Sequence, residues 1–232
     1  MLILITGASK GIGFELVKHF AKNGKHLVLA VSRNTQTIHE LINKSALHSV
    51  LAIKADITKA TGLKSISQTI RKLDLPLDVL INNAGMIVNK EFEKISEKEL
   101  RSVYDTNVLA PFLLIQSLLP FMGKHKKAHI VNISSMGGFQ GSAKFPGLSA
   151  YSSSKTALSG LTECLAEEFK SKNIAVNCLA LGAVQTEMLS KAFPGYKAPL
   201  KPQQIAKYIA DFSLTGQEYF NGKIIPVSST TP

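Results

Sequence analysis

The sequence predicts an α/β protein of one domain, built as a doubly wound parallel sheet with helices on both faces. Three observations lead there. Short apolar runs alternate with longer amphipathic stretches from one end to the other, the pattern of strands joined by helical crossovers. A glycine cluster lies between the first apolar run and the first amphipathic stretch. The 232 residues suit a single core and contain no repeat, low-complexity tract or linker.

Leu2–Ile5 reads as the first strand, since Met1 to Ile5 is wholly apolar and runs straight into Thr6-Gly7, without the basic leader of a signal peptide. A helix is expected over Ile12–Lys22, ended by Gly24 in the left-handed conformation. The remaining strands are expected at His26–Val31, Ser49–Lys54, Asp78–Asn82, His129–Ser134, Ala175–Leu179 and Lys223–Val227. Between them lie helices at Thr35–Ser45, Leu63–Leu73, Glu97–Leu119, Ser152–Ser171 and Pro202–Leu214. Ser96 and Glu99 form a capping box ahead of the fourth helix. Pro194, Pro199 and Pro202 mark Phe193–Leu200 as irregular, a small flap over a rather open site.

Composition narrows the function. The longest apolar stretch, Val108 to Met122, is interrupted by Pro111, Gln116, Ser117 and Pro120, so it is expected to be a buried or interface helix and not a membrane span. Cys164 and Cys178 cannot make a disulfide framework and have no metal-ligand spacing around them. They point to packing roles in a reducing, cytoplasmic setting, with no metal. The net charge is +11, but Lys124-His125-Lys126-Lys127 lacks the aromatics of a nucleic-acid surface and reads as a solvated loop. A general positive field favours an anionic ligand such as a phosphorylated cofactor.

The chemistry starts at Thr6-Gly7-Ala8-Ser9-Lys10-Gly11-Ile12-Gly13. Glycine serves where the chain turns tightly, approaches a pyrophosphate or lets a helix press on the sheet, and the helix then offers free N–H groups to the phosphates. Such a loop between strand and helix makes the sheet Rossmann-like and predicts a dinucleotide. At the end of the second strand an acid would hold the ribose of NAD, whereas an arginine accommodates the 2′-phosphate of NADP. Here the chain reads Ser32-Arg33-Asn34, and Lys10 adds a second cation. NADP, with NADPH preferred over NADH, is therefore expected, although both cations can also be read as solvated surface charges. Tyr151 and Lys155, four residues apart at a predicted helix start, share a face. An ammonium beside a phenol favours the phenolate and suits acid–base catalysis.

Together with Asp56, Asn82-Asn83-Ala84-Gly85, Asn107, Ile133-Ser134-Ser135 and Tyr151-Ser152-Ser153-Ser154-Lys155, the leading Thr and the Gly-x-x-x-Gly-x-Gly spacing resemble the short-chain dehydrogenase/reductase family from end to end. The resemblance implies that Gly7, Ser9, Lys10, Gly11, Ile12 and Gly13 cradle the cofactor, with Arg33 at its 2′-phosphate, Asp56 at its adenine and Ile57 also among the cofactor-binding residues. It implies that Asn83, Ala84 and Gly85 line the adenosine, although Asn83 and Gly85 also fit plain turn chemistry. Tyr151 would protonate the carbonyl oxygen, Ser135 would hydrogen-bond it, Lys155 would also bind the nicotinamide ribose, and Asn107 would hold a water linked to Lys155. Ser134 competes with Ser135, and Asn107 also fits a core hydrogen-bonding role. Gly182, Val184 and Thr186 would meet the carboxamide and phosphates. The implied activity is hydride transfer between nicotinamide and a carbonyl or alcohol carbon of a small, apolar substrate, in a homodimer or homotetramer. A redox-silent NADP-binding protein of the same fold, and an isomerase or lyase, are the other readings.

Two departures stand out. Tyr151 stands sixteen positions after Ser135, a few more than is usual in the family, and Leu181 stands where the family usually has proline.

Overall fold

A computed structural model describes residues 1–22, 24–45 and 48–228. It contains one seven-stranded sheet, parallel throughout. The strands are β1 (Leu2–Thr6), β2 (Leu27–Ser32), β3 (Val50–Lys54), β4 (Leu77–Asn82), β5 (Ala128–Ser135), β6 (Ile174–Leu181) and β7 (Ile224–Val227), and their order is β3-β2-β1-β4-β5-β6-β7. Strand order reverses at β1, which has β2 on one side and β4 on the other. A crevice opens outside the carboxyl ends of the strands at such a point.

Side chains alternate across the strands and divide the interior into two cores. Leu2 and Leu4 of β1 and Leu29 and Val31 of β2 face one way. They pack on Ile66 and Ile70 of α3 (Ala60–Leu73), Leu114 and Leu118 of α5 (Ala110–Leu118), and Leu165 and Phe169 at the end of α6 (Ser149–Glu168). Ile3 and Ile5 face the other way with Val28 and Ala30. They meet Leu16, Val17 and Phe20 of α1 (Gly11–Ala21), Ile38 of α2 (Gln36–Ser45), and Ile205 and Ile209 of α8 (Pro202–Thr215). Each such side chain, fully buried, contributes about 1.5–3 kcal/mol. Gly24, at φ +61° with its N–H on the Ala21 carbonyl, makes the left-handed turn after α1 as expected.

Three local features depart from expectation. The stretch predicted as one helix, Glu97–Leu119, is α4 (Glu97–Tyr104), a π turn at Asp105–Leu109, and α5. The Ala110 N–H reaches back to the Asp105 carbonyl, and Pro111 has no N–H to give Asn107, so the ordinary ladder cannot run through. A short helix, α7 (Glu187–Ala192), lies in the β6–α8 segment where only a flap was expected. Leu181 continues β6, in register with Ser135 of β5 and Val227 of β7.

A buried polar pair ties β5 to β6 away from the crevice. His129 touches the Ser213 carbonyl through Nδ1 at 3.1 Å and the Asn177 amide through Nε2 at 3.0 Å.

Candidate active site

The register aligns the ends of β1, β2, β4, β5 and β6 along one edge, and the sequence motifs follow directly from them. Gly7 and Gly11 occupy left-handed backbone, at φ +67° and +56°. Gly13 has no room for a side chain: a Cβ there would lie 2.3 Å from the Gly7 carbonyl oxygen and 2.5 Å from Asn83 Nδ2. The β1 and β4 loops are stitched together. Asn83 Nδ2 donates to the Thr6 carbonyl at 2.9 Å, and Thr6 Oγ1 accepts from the backbone N–H groups of Asn83 and Ala84 at 3.1 Å each. Ser9 is held by Ser32, 2.8 Å between hydroxyls, and by Thr37, whose Oγ1 donates to the Ser9 carbonyl at 2.8 Å. α1 then begins at Gly11 with no side-chain cap, so its first N–H groups are available to an anion. Uncapped N–H groups, left-handed glycines and a glycine that admits no Cβ fit a pyrophosphate.

Farther along the edge, Arg33 is exposed just after β2, and it borders an open, polar depression of about 580 Å³ with His39, Glu40 and Lys54. Asp56 follows β3. Burial opposes ionisation of its carboxyl, but hydrogen bonds from the Thr58 N–H and hydroxyl, with the charges of Arg33 and Lys59, prevail and hold it below its usual pKa. The Ile57 side chain is in the core, so only its backbone can face the crevice. Lys10 does not lie free: its ammonium pairs with Glu187 of α7 at 3.1 Å. Thr186 caps α7, accepting the Leu189 N–H at 3.2 Å, and its methyl lies 3.5 Å from where a Cβ on Gly11 would be. Val184 is buried and bridges to Leu200, while a Cβ on Gly182 would meet Ser228 Oγ at 2.5 Å.

Ser135, Tyr151, Lys155 and Asn107 lie around the end of β5. Tyr151 is partly buried on the first turn of α6, with the Ser135 hydroxyl near enough to its phenol to favour the phenolate slightly. Burial pushes the phenol up from its ordinary pKa, against that smaller pull. The sequence had suggested the opposite sense, through Lys155. However, Lys155 Nζ is 5.9 Å from the Tyr151 ring centroid and donates to the Ile133 carbonyl at 2.8 Å. Burial pushes the ammonium itself down to about 8. Asn107 lies on the π turn, fully buried. Its Oδ1 accepts the Met86 N–H at 2.8 Å, and its Nδ2 donates to the Met86 carbonyl and to Ser154 Oγ at 2.9 Å. A Cβ on Gly85 would lie 3.5 Å from both Asn107 Oδ1 and Lys155 Nζ. Ser134, the alternative serine, is buried and donates to the Lys155 carbonyl at 3.0 Å, which docks α6 on β5. Asn89 and Gly147, which join the loops after β4 and β5, carried no motif signal and were missed.

Fold and crevice together define an α/β protein of the doubly wound class, with a glycine crevice that fits a pyrophosphate. Comparison with known proteins is more specific. The family model described as short chain dehydrogenase matches residues 1–197, and the chain belongs to that family of oxidoreductases. An uncharacterized oxidoreductase of Staphylococcus saprophyticus is 33% identical over 219 residues, which is 90% of this chain and 87% of the relative. Among solved structures, the RhlG/NADP active-site complex of Pseudomonas aeruginosa superposes with a TM-score of 0.87 at 27% identity, covering 99% of this chain and 95% of that one. The 3-ketoacyl-(acyl-carrier-protein) reductase of Brucella melitensis, complexed with NADH, gives 0.85 at 26% identity, covering 97% and 96%. Among the described residues no helix is long and apolar enough to cross a membrane.

Proposed function

We propose that the chain is an NADP(H)-dependent reductase or dehydrogenase acting on a carbonyl or alcohol carbon of a small, apolar compound. The observation that carries this reading is the meeting of Ser135, Tyr151 and Lys155 at the end of β5, next to the glycine crevice. A nicotinamide bound there would supply or accept the hydride. Tyr151 Oη gives its proton to the substrate oxygen, which the Ser135 hydroxyl holds in place. The raised phenol pKa keeps that proton on the oxygen until it is needed. Lys155 Nζ, charged below about 8, returns a proton towards Tyr151 and would hold the ribose of a bound cofactor. Asn107 fixes the Met86 backbone beside Lys155, which leaves one Oδ1 lone pair to accept from a relay water. Consumption of NADPH with a panel of ketones, aldehydes and quinones tests the reading. Steady turnover with any of them supports it, and none across the panel would sink it.

Arg33 supports NADPH as the cofactor, because a guanidinium fork matches a phosphate and the residues directly after β2, Arg33 and Asn34, include no carboxylate to repel it. A charge-assisted contact is worth about 1.5–3 kcal/mol, so NADPH is expected to bind at least about tenfold more tightly than NADH. Arg33→Asp should erase or reverse that ratio. Equal dissociation constants in the unaltered protein would remove the argument. With Lys10 on Glu187, Arg33 is the principal cation for the 2′-phosphate.

Leu109, Phe112 and Leu113 are 51%, 45% and 45% exposed on the outer side of the helix that follows α4. Their apolar surface supports a homodimer or homotetramer. A sedimentation experiment at micromolar concentration is expected to show a mass above the 25.1 kDa of one chain; a monomer would refute it. Free Cys164 and Cys178 fit a cytoplasmic setting.

A further inference from the structure

The β6–α8 segment is fastened to two loops that border the crevice. Its first fastening is the Lys10–Glu187 pair on the glycine loop. Its second is Asn89, whose Nδ2 donates to the carbonyl of Ala192, the last residue of α7, at 2.7 Å. Carbonyls at a helix end lack an intrahelical donor, so Ala192 has its acceptor free for this bond. Asn89 belongs to the loop that leaves β4 through Gly85 and Met86, beside Lys155 and Asn107.

Asn89 is in turn held from behind. Gly147, in the long loop between Ser135 and Tyr151, accepts the Lys90 N–H on its carbonyl at 3.0 Å. It sits at φ +84°, and a Cβ there would fall 2.1 Å from Asn89 Oδ1. The backbone of one loop thus forms a wall against which the amide rests. One side chain connects the segments that follow β4, β5 and β6.

We propose that Asn89 is a positioning residue, which, backed by Gly147, holds α7 down across the crevice, so that a substrate reaches Ser135 and Tyr151 only when the Asn89–Ala192 bond parts. The last clause rests on the functional reading above; the fastening of α7 does not. Asn89→Asp keeps the shape but turns the donor into a second acceptor facing a carbonyl. Gly147→Ala displaces the same amide from a residue outside the flap.

The test is limited trypsin cleavage after Lys191, at the bond to Ala192, in the protein without cofactor or substrate. A neutral hydrogen bond is typically worth a factor of about two to ten, so Asn89→Asp should speed this cut by about that factor. Cleavage in the Lys124–Lys127 loop and the thermal midpoint should not move. Gly147→Ala should also speed the cut after Lys191, and the two changes together should exceed Asn89→Asp alone by little, since both act on one joint. Unchanged cleavage in Asn89→Asp, or faster cleavage at every site with a lower midpoint, would overturn the proposal. With a reducible ketone, Asn89→Asp should change KM more than kcat. A ketone panel without turnover would sink the functional reading and leave the cleavage result standing.

Discussion

Replacing Tyr151 by Phe is expected to lower carbonyl reduction by about 10²- to 10⁴-fold, the usual worth of a positioned acid, while NADPH binding changes little. The substitution removes one oxygen, the one on the Ser135 side of the ring, and leaves the ring on α6 near Lys155. Lys155→Ala should behave differently. It deletes a buried ammonium that donates to the Ile133 carbonyl, so both turnover and NADPH affinity should fall. Parallel measurement of NADPH fluorescence titration and turnover separates the two variants. A Tyr151→Phe protein that retains more than about a tenth of the original turnover, a loss under about 1.4 kcal/mol, would show that the phenol is not the acid.

Acidification from about pH 7 to about pH 4.5 is expected to remove about 2–3 kcal/mol of folding stability through His129. The ring is fully buried, with its tautomer fixed by its partners. Nδ1 faces the Ser213 carbonyl and carries the proton, whereas Nε2 faces Asn177 Nδ2 and must accept. The Asn177 amide cannot turn round, because its Oδ1 takes the Lys223 N–H and its Nδ2 also serves the Phe220 carbonyl. A second proton would set N–H against N–H. Burial, aided by the charge of Lys127 and opposed by the Ser213 carbonyl, holds the ring pKa at about 4 against 6.5 when free. The unfolded chain therefore takes up its proton first as pH falls. This contribution is complete above pH 6.5 and is lost progressively as pH falls towards about 4. His129→Gln has no such titration, so the stability lost between the two pH values, measured by urea unfolding, should shrink by that amount. An equal loss in both proteins would rule the imidazole out.

Much of the fold was legible because its signals are local. Seven apolar runs became seven strands, with ends shifted by a residue or two, and Gly24 and the Ser96–Glu99 box terminate helices where their chemistry requires. The motifs of the candidate site stand out for the same reason: the glycine loop, Arg33, Asp56, Asn83 and Ser135 lie at or just after strand ends that the register brings level, while Tyr151 and Lys155 share a face by their helical spacing. What escaped depends on distant partners or short elements. Six residues are too few for α7 to show a helical period. The Lys10–Glu187 pair and the Asn89–Gly147 contact join positions far apart in the chain. Ser134 and Ser135 differ only in which side of β5 they face, and the burial of Ser134 under α6 separates them.

The π turn at Asp105–Leu109 inserts one residue into the helical count, so α4 and α5 are out of phase by about 100°. An unbroken helix could not point Asn107 inward at Met86 and also leave Phe112 and Leu113 on the outside in their present orientation. Loss of that one residue would force one of the two faces to swing away.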